Sequence, residues 1–413
     1  MERGPAYAAP RSLDRGIHRQ APVRYRVIRG HAKLDGRSRT STSRHIVLKR
    51  IAKWGAVVVA LAFLAVFVAY WMSDNSCDSD TAPQGDLMKA VVYCDYGTAD
   101  VLRIEDIEKP VPGDDQLLVN VHAAAVNPLE WHYMRGTPYI MRIDTGLRKP
   151  KDTRLGVDYS GTVEAVGQNV TRFKPGDEVF GGRTGALAEY VTAAADRAVV
   201  LKPANLTFEQ AAAVPIAAIT ALQGLRDKGK VQPGHKVLIN GASGGVGTFA
   251  VQIAKSLGAQ VTGVCSTRNL ELVRSIGADE VIDYTRENFT EGERRYDVIL
   301  DLVGNHPLSA YRRVLEPDGI HVLVGGGGPD AGNWIGPLWG PLKALVSSPF
   351  VDHEHVTLLA ELNKEDLTVL ADLMQAGKVT PVIDRRYPLS ETAEAIRYLE
   401  TGRARGKVVI TLE

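Results

Sequence analysis

Hydrophobic and polar residues follow three patterns in the first 88 positions. Residues 1–53 show no apolar periodicity, and we predict that they are disordered, because such a composition buries too little surface to offset chain entropy. Residues 54–72 are 19 residues without a charge, which as a helix would cross the ~30 Å hydrocarbon core of a bilayer. This run predicts a single transmembrane helix. Residues 73–88 are polar and predict a short tether.

The pattern changes from Lys89 onward. Short apolar runs punctuated by Gly, Pro and Asp indicate a small all-β unit. From about residue 213, apolar strands alternate with helical stretches, which is typical of βαβ units around a parallel sheet. The end of the chain, GKVVITLE, is again strand-like. The predicted fold class is therefore α/β.

Charge is balanced in total, with 49 Lys+Arg and 48 Asp+Glu, but it is segregated along the chain. Residues 1–53 carry +11, and residues 54–88 carry −4. Because basic residues favour the cytoplasmic end of a span, we predict a cytoplasmic N-terminus, and charge alone would place the body on the other side of the membrane. A cleaved signal peptide is the weaker alternative, since no A-x-A-like site follows the apolar run. We interpret the basic segment as a solvated tail and expect no nucleic-acid partner.

The three cysteines, Cys77, Cys94 and Cys265, lie far apart and form no C-x-x-C pair. We therefore expect neither a disulfide framework nor a cysteine zinc site. The redox compartment of the protein stays open.

A glycine triplet stands between a predicted strand and a predicted helix, in INGASGGVGTFAVQIAK at 239–255. A second strand follows, which is the context of a dinucleotide-binding site. We expect Gly241 to permit the turn, Gly244 to let backbone amides approach a pyrophosphate, and Gly247 to allow close helix packing. The residues predicted to hold the pyrophosphate are Ser243, Gly244, Gly245, Val246 and Gly247.

The end of the second strand predicts which nucleotide binds. An NAD site asks for an acid about 20 residues after the glycines, yet 264–269 read VCSTRN. Ser266, Thr267 and Arg268 offer hydroxyl donors and a cation to a 2′-phosphate. The predicted cofactor is NADPH.

Several motifs appear together in one order: AAAVNPLEWHYMRG at 123–136, GVDYSGTVEAVG at 156–167, the glycine segment and the terminal GKVVITLE. With them the chain resembles the medium-chain dehydrogenase/reductase superfamily, in its zinc-independent quinone oxidoreductase branch. The resemblance implies a GroES-like β domain that is split in sequence around a Rossmann NADP-binding domain. The predicted domains are then 1–53, 54–72, 73–88, 89–212 (GroES-like, first part), 213–362 (Rossmann) and 363–413 (GroES-like, return segment).

The same resemblance argues against a metal. Zinc-dependent members carry Cys where this chain has Asn127, and Gly-His-Glu where it has Gly156-Val157-Asp158. Neither an asparagine nor a valine replaces a thiolate or an imidazole on zinc. No metal site is expected, and we interpret the acidic and histidine-rich residues 352–355 as a solvated loop.

The resemblance also implies roles for single residues. Asn127 is expected beside the nicotinamide ribose, Thr220 at the carboxamide, and Tyr284 at the 2′-phosphate. The alternatives are that Asn127 is only a turn residue, Thr220 only a helix hydroxyl and Tyr284 only a half-buried strand aromatic. The glycines from Gly325 onward would let backbone pass close to the nicotinamide, and Val303 is assigned to the same site. Tyr139 is the candidate proton donor, with water as an open alternative.

Without a metal, hydride transfer favours acceptors that spread charge by their own conjugation. We therefore predict an NADPH-dependent reductase of quinones or α,β-unsaturated carbonyls, anchored in a membrane. The alternative is a catalytically weak, membrane-bound NADPH sensor or scaffold. Members of this family commonly form homodimers, which makes a homodimer possible here. Residues 333–346 are a candidate substrate cover or dimer surface. The side of the membrane on which the catalytic body lies stays unresolved. NADPH is supplied in the cytosol, whereas the charge distribution predicts that the body lies outside it.

Overall fold

The computed structural model describes residues 40–72, 77, 85–325 and 354–412. Several predictions made above fall outside the described residues: the disordered segment up to residue 39, most of the tether at 73–84, the glycines 326–328, the apolar segment 333–346, and residues 352 and 353.

The apolar run forms part of one long helix, α1, Thr40–Trp71. Its section Arg50–Trp71 has a mean hydropathy of 2.4, and none of it is buried in protein. The helix begins earlier than the uncharged run, so residues 40–53 are helical and not disordered as expected. Once a helix is nucleated, each added residue gains a hydrogen bond. The helix can therefore extend from the apolar run into the polar residues that precede it.

The rest of the described chain forms fifteen strands and nine further helices. The strands are β1 Leu87–Val92, β2 Arg103–Glu108, β3 Gln116–Val126, β4 Asp158–Val166, β5 Glu178–Gly182, β6 Tyr190–Ala194, β7 Val199–Leu201, β8 Lys236–Asn240, β9 Gln260–Cys265, β10 Glu280–Asp283, β11 Tyr296–Asp301, β12 Leu315–Leu323, β13 Glu354–Thr357, β14 Ile383–Pro388 and β15 Lys407–Thr411. The helices are α2 Pro128–Arg135, α3 Arg142–Thr145, α4 Phe208–Ala212, α5 Pro215–Gln223, α6 Gly245–Ser256, α7 Leu270–Ser275, α8 Leu308–Arg312, α9 Lys364–Gln375 and α10 Thr392–Glu400.

A mixed sheet of seven strands unites the first and last parts of the body. Its order is β14-β15-β3-β4-β5-β7, with β6 also paired to β3. The C-terminal strand β15 runs antiparallel to β3, with Val408 opposite Val126. This pairing confirms that the end of the chain returns to the first β domain.

The second sheet has six strands, all parallel, in the order β10-β9-β8-β11-β12-β13. The chain order reverses between β8 and β11, as in doubly wound dinucleotide-binding sheets. Such folds bind ligands outside the carboxyl ends of the strands at this reversal. The glycine triplet follows β8 directly and therefore lies at that point.

Residues 354 and 355 do not belong to a solvated loop. They begin the edge strand β13, and His355 is buried. Its Nδ1 lies 3.2 Å from Nδ1 of His321 on β12. Pairing with β12 supplies hydrogen bonds to the backbone of this short segment. Four polar residues carry no apolar pattern that would indicate such a strand.

The spacing of the three cysteines argued against a disulfide framework, and the structure has a single disulfide. Cys77, before β1, forms a disulfide with Cys94, just after β1, across a sequence separation of 17 residues. A disulfide depends on the distance between two Cα atoms, and spacing in the sequence does not report that distance. Cys265 is a free, buried cysteine.

Candidate active site

The glycine loop, residues 241–247, joins β8 to α6. Gly241 has a φ of +93°, a left-handed conformation that side chains disfavour. A Cβ on Gly247 would lie 2.1 Å from the Gly241 carbonyl oxygen, so only glycine fits there. Gly244 is the N-cap of α6. The loop therefore directs the unpaired N–H groups of the first turn of α6 outward, which makes an anion site.

Val303 lies against this loop, and Gly325 lies against Leu302, the residue before Val303. The Cγ2 of Val303 is 3.0 Å from where a Cβ of Gly241 would stand, and a Cβ on Gly325 would be 3.0 Å from the Leu302 carbonyl oxygen. The buried Asp301 holds the turn, because its Oδ1 accepts the N–H of Val303 at 3.1 Å. The structure brings Val303 to the glycine loop and Gly325 to the turn that carries Val303.

Asn269 joins the glycine loop to the end of β9, and sequence reasoning missed it. Its Nδ2 donates to Ser243 Oγ at 2.9 Å and to Ser266 Oγ at 3.3 Å. Asn269 is buried, and its Oδ1 has no hydrogen-bond partner in the part of the chain that the structure describes. Its place directly after Ser-Thr-Arg was the available signal.

Arg268 contacts a segment from the other end of the chain. Its Nη2 donates to the Arg403 carbonyl oxygen at 2.7 Å. In the same segment, the Gly406 N–H donates to the Ser243 carbonyl oxygen at 3.0 Å. Arg403 and Arg405 are exposed there, which adds two cations to the region of Arg268. Sequence reasoning did not place them, because more than a hundred residues separate them from Arg268.

Thr267 differs from its neighbours. Its Oγ1 donates to Oδ2 of Asp283, at the end of β10, over 2.5 Å. This hydrogen bond, more than any other interaction, lowers the pKa of Asp283 below its usual value. The Thr267 hydroxyl hydrogen is thus already committed. Tyr284, the next residue after Asp283, is 58% exposed.

Four buried side chains form what we call the Lys407 cluster: Asn127, Glu130, Asp158 and Lys407. Lys407 Nζ donates to Asn127 Oδ1 at 2.5 Å and to Asp158 Oδ2 at 3.1 Å. Asn127 Nδ2 donates to the same Asp158 oxygen at 3.0 Å. Asn127 caps α2, and its backbone N–H donates to Glu130 Oε2 at 2.6 Å. None of the four is more than 3% exposed.

Asp158 also connects this cluster to α5. Its Oδ1 accepts the N–H of Ile216, in the first turn of α5, at 3.0 Å. One turn later, Thr220 Oγ1 donates to the Ile216 carbonyl oxygen at 2.7 Å. The structure thereby brings Thr220 and Asn127, two predicted site residues, into one hydrogen-bonded chain.

Within the Lys407 cluster, Glu130 has a pKa well above its ordinary value. Burial, followed by the nearby Asp158 carboxylate, raises its pKa from 4.5 to about 7. Its Oε1 is buried and has no hydrogen-bond partner among the described residues. A proton at Glu130 therefore exchanges in the neutral range.

Tyr139 lies in the short 3₁₀ helix Tyr139–Met141, after α2. The Arg142 guanidinium carbon is 4.7 Å from its ring centroid, and Arg142 also stands over Tyr96. These contacts leave its role as proton donor a prediction.

Asn127 stands where zinc-dependent members carry Cys, and Asp158 stands where they carry Glu; here the two side chains are joined by a hydrogen bond. Asn127 and Asp158 both bind the Lys407 ammonium. Across the described ranges, no group of three His, Cys, Asp or Glu side chains is arranged to hold a metal ion.

Comparison with known proteins decides the family. A model described as an alcohol dehydrogenase GroES-like domain matches residues 113–204, and one described as a zinc-binding dehydrogenase matches 276–410. A 2-methylene-furan-3-one reductase of Solanum lycopersicum is 38% identical over 338 residues, covering 78% of this chain and 79% of that protein. The chain belongs to the medium-chain dehydrogenase/reductase superfamily, in its zinc-independent quinone oxidoreductase branch.

Other members of this branch agree. An Arabidopsis thaliana NADPH-dependent alkenal/one oxidoreductase is 36% identical, covering 78% of this chain and 79% of that protein. The solved quinone oxidoreductase from Coxiella burnetii superposes with a TM-score of 0.69 at 31% identity, over 79% of this chain and all of that one. As a medium-chain dehydrogenase/reductase, the protein is an oxidoreductase with a nicotinamide cofactor.

Proposed function

We propose that this protein is an NADPH-dependent, zinc-independent reductase of quinones or α,β-unsaturated carbonyls. The observation that carries the proposal is the Lys407 cluster, in which an ammonium binds Asn127, at the position of a zinc-binding Cys, and its neighbour Asp158. A site without a Lewis acid suits acceptors whose own conjugation spreads negative charge. The named activities of the tomato, Arabidopsis and Coxiella relatives support the same substrate classes.

The residues present fit a nicotinamide dinucleotide. The glycine loop leaves room for an anion, since a Cβ on Gly244 would meet nothing closer than 3.5 Å. The first turn of α6 offers its N–H groups to a pyrophosphate. The Lys407 cluster lies beside this loop, because the Lys407 Cδ is 3.3 Å from where a Cβ of Gly245 would be. The loop would hold the pyrophosphate, with Asn127 and Thr220 toward the nicotinamide.

When bound, the nicotinamide supplies a hydride. The chain's residues bind, orient and exclude water. Asn127 is 3% exposed, and one hydrogen of its Nδ2 remains after the bond to Asp158, so it can orient a carbonyl or carboxamide oxygen. Thr220 is also buried, at 7% exposure, and its hydroxyl oxygen keeps a free lone pair after donating to Ile216.

The preference for NADPH is supported by the basic region around Arg268. Arg268, Arg403 and Arg405 are exposed there, and a 2′-phosphate is the anion that such a cluster would distinguish from a hydroxyl. Ser266 adds a hydroxyl, whereas the Thr267 hydroxyl hydrogen is already donated to Asp283.

Nucleotide oxidation by the full chain in detergent tests this function. We expect turnover with a quinone or an alkenal, and a kcat/KM for NADPH above that for NADH. A preference for NADH would refute the cofactor assignment. Nucleotide binding without turnover across a panel of quinones and alkenals would instead favour the sensor or scaffold.

We further propose that α1 anchors the chain in a bilayer, with its N-terminus in the cytoplasm. The 22 residues Arg50–Trp71 span about 33 Å, close to the thickness of a hydrocarbon core. The Cys77–Cys94 disulfide supports the side that charge predicts for the body, because disulfides persist in oxidising compartments.

Protease protection tests this orientation. In intact cells, added protease should digest the body, and a thiol reagent applied under denaturing conditions should label Cys265 but neither Cys77 nor Cys94. A protected body with all three thiols reactive would place it in the cytoplasm, where NADPH is made.

A further inference from the structure

Lys407 owes its position to strand register. β15 pairs antiparallel with β3, and Val408 lies opposite Val126. The residue before Val408 is therefore beside the residue after Val126, which places Lys407 next to Asn127. Lys407 is 3% exposed. A lysine ammonium is rarely buried to this degree unless a carboxylate compensates it, and here Asp158 does so.

The contacts of the Asn127 carboxamide admit only one orientation. The Lys407 ammonium has only hydrogens to offer, so the atom 2.5 Å from it must be the amide oxygen. The Asp158 carboxylate accepts, so the atom 3.0 Å from its Oδ2 must be the amide nitrogen. An amide that faced only water could rotate by half a turn, whereas this one cannot without losing both bonds.

We propose that Lys407 is a positioning residue of the active site, which fixes the Asn127 carboxamide with one N–H presented for the nicotinamide or the substrate. This inference rests on the proposed function and extends it to a residue that comes from the opposite end of the chain. Lys407 acts through Asn127 and does not itself contact the reacting atoms.

The aliphatic part of Lys407 connects this role to the glycine loop. Its Cδ stands 3.3 Å from where a Cβ of Gly245 would be, and Gly406 pairs with Gly244 in an isolated bridge. The backbone that carries Lys407 is thus fixed against the loop that would hold the pyrophosphate. Lys407 therefore contacts both Asn127 and the glycine loop, and these two contacts set the position of Asn127 relative to the loop.

Kinetics of the full chain test the proposal. Lys407→Met keeps the length and apolar stem but removes the ammonium. We expect kcat to fall about 10- to 100-fold, since small misplacements of an orienting group have effects of that size. The dissociation constant of NADPH should change less than about threefold. Lys202→Met is the matched control, because the Lys202 side chain is also buried, at 5% exposure, and pairs with Glu178. That variant should retain the wild-type kcat.

A double-mutant cycle separates positioning from a general structural effect. If Lys407 acts through Asn127, Lys407→Met should cost little further activity in an Asn127→Ala background. An undiminished loss in that background, or a kcat for Lys407→Met within twofold of wild type, would overturn the inference. Should Lys407→Met fail to fold, Asp158→Asn removes the other fixed contact at nearly constant volume, and it should lower kcat in the same way.

A readout independent of turnover keeps this inference distinct from the proposed function. In protein with isotopically labelled asparagine, the Asn127 side-chain amide should give one sharp resonance in wild type and in Lys202→Met, and a shifted or doubled one in Lys407→Met. An unchanged resonance refutes the role of Lys407 even if the enzyme reduces quinones. A changed resonance supports it even if no substrate is turned over, in which case only the proposed function fails.

Discussion

The glycine loop occupies consecutive residues, 241–247, whereas the four members of the Lys407 cluster come from α2 and its N-cap, from β4 and from β15, which lie far apart in the chain. The loop is specified by short-range sterics, since a left-handed turn and a close helix contact each demand glycine at one position. The cluster is specified by strand pairing that brings Lys407 to Asn127. Local chemistry thus shapes the proposed phosphate site, and tertiary structure shapes the proposed nicotinamide site.

The largest effect expected from this comparison is at Gly247. In Gly247→Ala, the new Cβ would stand 2.1 Å from the Gly241 carbonyl oxygen, and backbone cannot move away cheaply. We expect the free energy of unfolding to fall by about 1–3 kcal/mol, the usual cost of overpacking, and NADPH binding to weaken at least about 100-fold. Thermal unfolding and nucleotide titration measure the two effects.

Gly244→Ala is the control for that prediction. Its Cβ meets nothing closer than 3.5 Å, and its φ of −83° suits any residue. The variant should fold as well as wild type while binding nucleotide more weakly, because only the approach to the pyrophosphate is affected. Equal unfolding temperatures for the two variants would contradict the steric account.

A second, smaller effect is expected at Arg268. Arg268→Ala should weaken NADPH binding at least about tenfold and leave NADH binding unchanged, because a charge-assisted contact to a 2′-phosphate contributes roughly 1.5–3 kcal/mol. Arg274→Ala, on the following helix α7, is the matched control and should change neither. Equal losses for both nucleotides would assign Arg268 to the pyrophosphate instead.

The sequence predicted the elements that depend on contiguous residues. The strand, glycine loop and helix around 239–255, the six-stranded parallel sheet and the return of the C-terminal strand were all accessible from pattern and family resemblance. What sequence reasoning missed depends on distance in space. Lys407 appeared only as part of a terminal strand motif, and the spacing of the cysteines gave no sign of the Cys77–Cys94 disulfide. The distance between two residues along the chain does not show whether their side chains meet in the fold.

The cluster can be tested through pH as well as through kinetics. Glu130 has a pKa of about 7 in the folded protein against an ordinary 4.5, so between these values the folded state binds more protons than the unfolded one. The free energy of unfolding should therefore fall as pH rises through this window, by at most about 1.4 kcal/mol per pH unit. Asp158 and Lys407 are the charged groups that face Glu130.

Glu130→Gln isolates that contribution. Glutamine keeps an acceptor for the Asn127 N–H but cannot titrate, so the difference between wild type and variant should shrink toward acid pH. Denaturant unfolding at about pH 5 and about pH 7.5 measures the slope. Glu105→Gln, on the exposed strand β2, should leave the slope as it is in wild type. A Glu130→Gln variant with an unaltered slope would show that Glu130 is ionised throughout.

The smallest effect is expected at Thr267, where sequence reasoning and structure make different predictions. The sequence assigns its hydroxyl to a 2′-phosphate, yet the structure commits the hydroxyl hydrogen to Asp283. Thr267→Val should therefore change NADPH affinity by less than about threefold, because Asp283 keeps hydrogen bonds from the Thr285 N–H and hydroxyl. Ser266→Ala, the neighbouring comparison, should weaken NADPH binding more than that. If Thr267→Val is the more damaging of the two, the hydroxyl must turn from Asp283 to the phosphate on binding, and the nucleotide site would then depend on induced fit where the glycine loop does not.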